Sequence, residues 1–346
     1  MENIKKLSEI AWNVTEEEYR ADPALSYSTL SKFNREGFDN LEHLFDKTES
    51  PSLLFGSIVD CILTGTEEEF NDRFFVADFP ELPDKQKDIV ESIFHTAKPG
   101  ESWDDITDVV ILRCIVDNNY QSNWKQETRI KVIREAGREY YDLLVLANGK
   151  TVISRQLYQD ALSCVEALKQ SESTKWYFEE DNPFDKSIER FNQLKFKGEY
   201  SGIPLRCMAD LIIVDHKNKI VYPCDLKTSS KPEWRFYKSL MEWGYWIQAQ
   251  LYWYLIRETM NKDDYFKDFK LANYRFIVVS NKTRTPLVWE FPLTEAITDI
   301  QIGKHILKNW RGIATELNTY LTENSSVPKG IVKVGINDIK EWLEHE

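Results

Sequence analysis

The chain has 346 residues, of which 42% are hydrophobic and 29% charged, as is ordinary for a globular protein with one large domain or two of average size. Its formal net charge of −13 argues at first against a polyanionic partner. The sequence shows no signal-peptide pattern and no run approaching the ~20 apolar residues of a membrane-spanning helix, so we expect a soluble cytoplasmic protein with no membrane contact. Its five cysteines include no Cys-x-x-Cys pair, and we expect them to be reduced.

The first 65 residues are predicted to form two helices, the second of which is the first helix of the core. The first begins near Ser28, where hydroxyl side chains can cap it. The second covers about residues 54–63, is amphipathic, and ends at Gly65. Residues 67–185 are mainly helical and acidic in pattern and hold no concentrated chemistry, so we interpret them as a helical insertion.

From residue 186 the pattern changes to strands. Three are predicted in succession, with the turn "HKNK" between the last two: "RFNQLKFKG", "LRCMADLIIV" and "KIVYPCDLKT". A long aromatic helix from about Trp234 to Met260 follows, and then the strands "YRFIVVS" and "PLVWEF". A last helix from about Thr294 to Thr322 precedes the C-terminal tail.

This order of elements predicts a mixed α/β (α+β) fold in which helices flank a central mixed sheet. We expect residues 1–346 to form a single domain, with a catalytic sheet and helix at 186–292 and a C-terminal helix and tail at 293–346. Charge supports a working surface in the sheet region. Residues 186–240 contain 8 Lys and 3 Arg against 3 Asp and 3 Glu, a net of +5, so the rest of the chain carries −18.

Four Asp-x-Lys tripeptides occur, beginning at Asp215, Asp225, Asp268 and Asp338. Three of them lie in a polar turn, a loop and the tail, where solvated surface charge explains them. Only Asp225 closes an apolar, β-branched strand, and only it has an acid, Asp210, embedded in the neighbouring apolar strand. The tripeptide starting at Asp225 is therefore the candidate for chemistry.

Asp225 and Lys227 lie on one face of their strand, because side chains repeat with a period of two. If the two strands pair antiparallel through "HKNK", Asp210 and Asp225 lie nearly opposite one another, about seven positions from the turn. Two close carboxylates repel unless a proton or a cation lies between them, and Mg²⁺ prefers one or two carboxylates with waters and phosphate oxygens. Lys227 could then orient or deprotonate an attacking water and offset phosphate charge. A purely structural Asp–Lys pair is the alternative.

The aromatic helix adds two polar groups in an apolar setting. Gln248 and Tyr252 are spaced i, i+4 and share one face of the helix. Buried polar groups need partners, and phosphate oxygens or an active-site water would serve. The neighbouring tryptophans are interpreted mostly as core.

The chain resembles the PD-(D/E)XK nucleases in its motifs and their order. Along the chain these are Gly56 with Asp60, Asp210, Asp225-x-Lys227 and Gln248-x3-Tyr252. Within that superfamily, the chain looks like the phage and prophage recombination exonucleases that include RecE (exodeoxyribonuclease VIII) and, more distantly, lambda exonuclease. The resemblance extends over most of the chain. It implies a restriction-endonuclease-like core.

By this resemblance Asp210, Asp225, the Leu226 carbonyl and Asp60 would hold Mg²⁺, for which Mn²⁺ can substitute. Lys227 would act on the attacking water, and Gln248 and Tyr252 would position water or the scissile phosphate. Much of the family branch has His where this chain has Asp60, although Asp can also bind a hard cation. Relatives often carry a further Glu on the preceding strand, and three residues remain alternatives for that role: Glu189, Gln193 and Glu199.

The implied activity is 5′ to 3′ digestion of linear double-stranded DNA from a free end, with a single-strand annealing protein as a partner and ring-shaped homo-oligomers. Ser26, Ser28 and Lys32, near a helix N-terminus that favours anions, are candidates for binding the DNA end, together with Lys231. An endonuclease or a flap or junction nuclease of the same fold is the first alternative. A catalytically inactive DNA-binding or scaffolding module is the second.

Overall fold

In the computed structural model, residues 4–46, 50–78, 80–182 and 184–323 are described. The fold is mixed α/β, as predicted. Contacts divide the chain into two compact units, one formed by Met1–Gly56 with Glu166–Glu346 and the other by Ser57–Val165. Among the described residues, no helix is both long and apolar enough to cross a membrane. The interpretation as one nuclease domain with an insertion at 67–185 stays a prediction.

The first unit is built on a mixed sheet. Its strands along the chain are β3 (Ile188–Tyr200), β4 (Ile203–Asp215), β5 (Ile220–Ser229), β6 (Lys270–Leu271), β7 (Tyr274–Ser280) and β8 (Leu287–Phe291). The spatial order is β3-β4-β5-β7-β8, and β6 pairs with β5. The pairs β3/β4, β4/β5 and β7/β8 are antiparallel, whereas β5 runs parallel to β6 and β7. The predicted turn "HKNK" joins β4 to β5.

Helices cover this sheet. The unit contains α1 (Glu16–Ala21), α2 (Tyr27–Glu36), α9 (Phe236–Trp243), α10 (Tyr245–Asn261), α11 (Trp310–Glu323), and short 3-10 turns at Leu7–Glu9, Gly37–His43, Lys175–Phe178 and Glu233–Arg235. The buried face of α10 joins β4, β5 and β7 in one apolar core, which includes Ile247, Leu251, Leu255, Val221 and Phe276. The parallel step from β5 to β7 passes through α9 and α10. That crossover places the helix over the strand that carries Asp225.

The second unit is mainly helical. Its elements are α4 (Glu67–Arg73), β1 (Phe74–Val76), α5 (Asp84–Thr96), α6 (Asp108–Asp117), α7 (Gln126–Ala147) and β2 (Thr151–Ile153). Helices α5, α6 and α7 pack around isoleucines such as Ile89, Ile111 and Ile133, with Trp103 among them. Strands β1 and β2 form a short parallel pair. Two helices, α3 (Pro51–Thr64) and α8 (Arg155–Gln170), contain the boundaries between the units.

Two helix predictions were wrong. The aromatic helix is not continuous, because Gly244 adopts φ 68° and separates α9 from α10. An L-residue with a side chain rarely adopts this left-handed conformation, but glycine does so readily. The segment before α9, Glu233–Arg235, is a 3-10 turn.

The last helix begins at Trp310, not near Thr294. Strands β9 (Ile300–Ile302) and β10 (His305–Leu307) form an antiparallel hairpin in the intervening segment, around Gly303 at φ 60°. Its ends are tied together, since the Asn309 backbone N–H donates to the Asp299 carboxylate at 2.7 Å. The tail beyond residue 323, including the Asp338 tripeptide, lies outside the described residues.

Candidate active site

The register of β4 and β5 brings two acids together. The ladder runs from Asp215 opposite Ile220 to Leu211 opposite Cys224, so Asp210 and Asp225 are the next positions on the two strands. One oxygen of the Asp210 carboxylate accepts a hydrogen bond from the Leu226 backbone N–H at 3.0 Å. This bond fixes Asp210 against the strand segment that carries Asp225.

Asp225 is a buried acid held by two side chains. It is only 1% exposed. Its Oδ1 accepts a hydrogen bond from Gln248 Nε2 at 2.5 Å, and its Oδ2 lies 2.6 Å from Lys227 Nζ. A charge this deeply buried is stable only with such partners.

Lys227 is held in its charged form. Its side chain is 18% exposed, and Nζ lies 4.6 Å from the centre of the Tyr245 ring. Burial lowers the pKa of Lys227, but the carboxylate of Asp225, together with smaller contributions from Tyr245, Asp210 and Tyr27, outweighs burial, so the pKa lies above its ordinary value. These partners favour the ammonium form of Lys227, which is a hydrogen-bond donor.

Helix α10 brings Gln248 to the carboxylate. Gln248 is buried, and its Oε1 has no hydrogen-bond partner among the described residues, whereas its Nε2 binds Asp225. Tyr252 follows one turn later and is also buried, with its ring 6.0 Å from the ring of Tyr274. Burial raises the pKa of Tyr252 well above its ordinary value, so its hydroxyl stays protonated.

Tyr274 is a polar residue of this region that the sequence reasoning missed. It begins β7, next to β5, and is completely buried. Its hydroxyl has no hydrogen-bond partner among the described residues, and burial, with Asp225, Tyr252 and Asp210 nearby, raises its pKa. A tyrosine at the start of an apolar strand is ordinarily core, so nothing in the sequence distinguishes it.

Gln193 is the residue of β3 beside Asp210. Asn192 pairs with Leu211 and Leu194 with Ala209, so Gln193 occupies the position opposite Asp210. Its backbone is left-handed, with φ 53°, which is unusual for a residue with a side chain. Such conformations are concentrated at functional sites.

The other two candidates for the additional family residue lie elsewhere along β3. Glu189 pairs with Val214, and its carboxylate lies 2.9 Å from His216 Nε2, whereas Glu199 pairs with Pro204. Of the three alternatives left by the sequence, Gln193 is therefore the one that lies opposite Asp210.

Helix α3 approaches β5 at Gly56. Thr228 is the residue after Lys227. A Cβ at position 56 would lie 3.2 Å from the Thr228 hydroxyl oxygen, so glycine permits the close approach of α3 to β5. Asp60 is one helical turn further along α3 and belongs to the second compact unit. Its place among metal ligands stays a prediction.

The residues predicted to bind the DNA end have acceptors within the chain. Ser26 and Ser28 lie at the start of α2 with their hydroxyl oxygens 2.8 Å apart, and the Ser26 side chain does not cap the helix. Lys32 donates to the His43 carbonyl, and Lys231 forms an ion pair with Glu242. Their assignment to DNA stays a prediction.

Oxygen donors suited to a hard cation are concentrated at Asp210 and Asp225. In the described part of the chain, no group of three or more His, Cys, Asp or Glu side chains is arranged to hold a metal. Mg²⁺ needs only one or two carboxylates, with waters completing its shell. The buried Gln248 Oε1 and Tyr274 hydroxyl are without partners among the described residues, and a hydrated cation would supply them. The residues present therefore fit such a group.

A separate cavity of about 340 Å³ is lined by residues 8–14, apart from Ile10, and by 193–195. It shares Gln193 with the surroundings of Asp210, but neither Asp210 nor Asp225 lines it. The carboxylate pair thus lies outside this cavity.

No protein-family model matches the chain, and a search of curated proteins finds no match. Among solved structures, the chain is similar to a protein from Eubacterium rectale described as a "Putative exonuclease". The identity is 14% and the TM-score 0.45, over 95% of this chain and 93% of the other. A TM-score of this size does not establish a shared fold, so the assignment of function depends on the site itself.

Proposed function

We propose that this protein is a nuclease that hydrolyses phosphodiester bonds in DNA with a divalent metal ion, Mg²⁺ or Mn²⁺. The observation that carries the proposal is the buried Asp225 carboxylate, bound by Lys227 and Gln248 beside Asp210. Buried acids that pair with a lysine and lie beside a second acid are concentrated at functional sites. A structural ion pair would not need Asp210, nor a buried glutamine oxygen that has no partner among the described residues.

Charge explains why a cation would be needed. Asp210, Asp225 and Lys227 together carry a formal charge of −1 when both acids are ionised, which repels a phosphodiester. Asp210 and Asp225 would hold the metal, and the Leu226 carbonyl and Asp60 are further candidates. The bound ion would raise the local charge to +1, polarise the phosphate and lower the pKa of an attacking water.

The chain's own groups then have distinct tasks. Lys227, as an ammonium, donates to a phosphate oxygen or to the attacking water and stabilises the negative charge of the transition state. Gln248 holds the Asp225 carboxylate in position, and its Oε1, which has no partner in the described part of the chain, is offered to a water. Tyr252, one turn along α10, keeps its proton and can only donate or accept hydrogen bonds.

The finer assignment is supported by the motif order Asp210, Asp225-x-Lys227, Gln248-x3-Tyr252 alone. By that resemblance the substrate is linear double-stranded DNA, digested 5′ to 3′ in phage- or prophage-type recombination. An annealing protein that receives the single strand and a ring-shaped homo-oligomer belong to the same proposal.

The test compares linear with covalently closed circular duplex DNA in Mg²⁺, in Mn²⁺ and in EDTA. We expect metal-dependent loss of the linear form, no cutting of the circle, and no degradation by Lys227→Ala, which should still bind DNA. Lys217→Ala is the matched control, because it alters the Asp-x-Lys tripeptide in the exposed turn. Cutting of the circle would replace the exonuclease with an endonuclease. Absence of degradation by the wild type with either metal would refute the nuclease.

A further inference from the structure

Three aromatic side chains are exposed within ten consecutive residues just after the candidate active site. Trp234 is 53% exposed, Tyr237 50% and Trp243 44%. Two of these rings lie beside guanidinium groups, Arg235 at 4.5 Å from the Trp234 centroid and Arg35 at 5.4 Å from that of Trp243. Burying a large apolar side chain gains about 1.5–3 kcal/mol, so exposed rings grouped in one segment suggest a ligand. We call residues 234–243 the aromatic segment.

The aromatic segment is anchored to the sheet. The buried Glu233 carboxylate accepts hydrogen bonds from the hydroxyls of Thr283 and Thr285, and its carbonyl accepts Trp289 Nε1 at 3.0 Å. Phe236 is almost completely buried and packs against the core. The three rings are therefore exposed on a fixed element, and binding a ligand there would not require ordering a loop.

The charge that the segment presents outward is positive. Arg235 and Lys238 are exposed, whereas its neighbouring acid Glu233 is buried. Glu242 forms an ion pair with Lys231. On a chain with a net charge of −13, cations beside exposed rings favour an anionic ligand with flat, stackable groups.

The aromatic segment lies close to Lys227. Lys227 Nζ is 4.6 Å from the centre of the Tyr245 ring, and that ring stacks on Phe236 with centroids 5.6 Å apart and an interplanar angle of 14°. The Phe236 ring is thus no more than about 10 Å from Nζ. A single strand of a few nucleotides with a phosphate at Lys227 would therefore reach the aromatic segment.

We propose that Trp234, Tyr237 and Trp243 bind unpaired bases of the DNA strand whose phosphate lies at Lys227. The proposal rests on the proposed function and adds a substrate class, DNA with a single-stranded or locally opened end. Bases inside a duplex are already stacked on one another, so, apart from the outer face of the terminal pair, only unpaired bases can offer their faces to protein rings. Stacking on aromatic side chains, with cations along the backbone, is how proteins bind single strands without reading sequence.

The test measures DNA binding in EDTA, so that no strand is cut, at about 50 mM salt, because affinity depends on ionic strength. Fluorescence anisotropy compares a labelled oligo-dT with a blunt duplex of equal length. The double variant Trp234→Ala/Tyr237→Ala should bind oligo-dT at least ~5-fold more weakly, since each stacked base contributes measurably to affinity. Its affinity for the duplex should change less than twofold. Trp124→Ala, which removes a ring 43% exposed in the second compact unit, is the matched control and should bind both forms like the wild type.

Three results would overturn the inference. They are a wild type that does not bind oligo-dT, a double variant that binds it normally, and an equal loss for duplex and single strand. A double variant with altered oligomeric state but normal DNA affinity would assign the rings to contact with a second copy. Binding is measured without hydrolysis, so the two proposals can fail separately. If the protein binds oligo-dT through these rings but cuts no DNA, the proposed nuclease fails and this inference stands.

Discussion

The ion pair between Lys227 and Asp225 allows a quantitative test of how the site is held together. Lys227→Met removes the ammonium and keeps an unbranched apolar side chain. The Asp225 carboxylate, 1% exposed, would keep only the Gln248 amide as a side-chain partner within the described ranges. Removing one partner of a buried ion pair costs about 3–5 kcal/mol, because an uncompensated charge remains. Lys227 is 18% exposed, so water already screens part of the pair, and we expect the lower value of ~3 kcal/mol.

Differential scanning calorimetry measures this loss. The chain has two compact units that can unfold in separate transitions, so the relevant transition is the one that shifts with substitutions in the first unit. For a unit of this size, Tm falls by about 2–4 °C per kcal/mol, which gives a decrease of roughly 6–12 °C. Asp225→Asn in the same chain removes the unpaired charge, so the double variant should recover most of the loss.

Two results would refute this reasoning. One is a Lys227→Met protein that melts within about 1 °C of the wild type, a shift expected of a surface substitution. The other is a double variant no more stable than the single one, which would mean that the cost does not come from Asp225. Lys217→Met is the control, since Lys217 occupies the same tripeptide position in an exposed turn.

Three further substitutions test individual groups. Tyr274→Phe removes a buried hydroxyl without a partner among the described residues, so we expect the stability of the metal-free protein to stay the same or rise by up to ~1 kcal/mol. The affinity for Mg²⁺, measured by titration calorimetry, should fall. An affinity equal to that of the wild type would exclude Tyr274 from the site. Burial raises the pKa of Glu233, but two threonine hydroxyls outweigh it and lower the pKa overall. The carboxylate therefore stabilises the fold above its unfolded pKa of about 4.3 and loses this effect as pH falls through the folded value. In urea unfolding, Glu233→Gln should cost ~1 kcal/mol at pH 7 and little at the lowest pH at which the protein folds; an undiminished difference contradicts this. Asp60→Asn should weaken Mg²⁺ binding by about 10-fold or more, and unchanged affinity would remove Asp60 from the metal ligands.

The adjacency of Asp210 and Asp225 could be predicted because it is set by a local hairpin. A four-residue turn fixes the register, and strand alternation then places each side chain on a face. The end of α9 at Gly244 could not be predicted from the sequence, because an isolated glycine is tolerated inside a helical pattern. Only the observed φ of 68° shows that the helix ends there. The hairpin β9–β10 was missed because short apolar repeats fit a helix and a strand equally well.

Tyr274 escaped prediction for a different reason, which is distance along the chain, and for the same reason the sequence could not choose Gln193 among its three alternatives. Tyr274 reaches the site through the parallel pairing of β5 with β7, which is separated from β5 by two helices. Gln193 lies opposite Asp210 through the pairing of β3 with β4. Its backbone is left-handed, which the sequence does not predict. Polar residue type alone marks neither of them, so only tertiary structure identifies the full set of groups around the acids.

The protonation state of Lys227 decides between two roles that the sequence left open. A lysine that deprotonates water needs a pKa near the working pH, whereas Asp225 holds the pKa of Lys227 above its ordinary value. A raised pKa means that the ammonium is present at every pH below that value, so Lys227 should not titrate between pH 6 and 9. Lys227→Arg, which cannot lose its proton, should therefore lower activity through altered geometry and yet keep the shape of the pH–rate profile. If the wild-type rate rises with pH and this rise disappears in the arginine variant, Lys227 acts as the base and the electrostatic role is wrong.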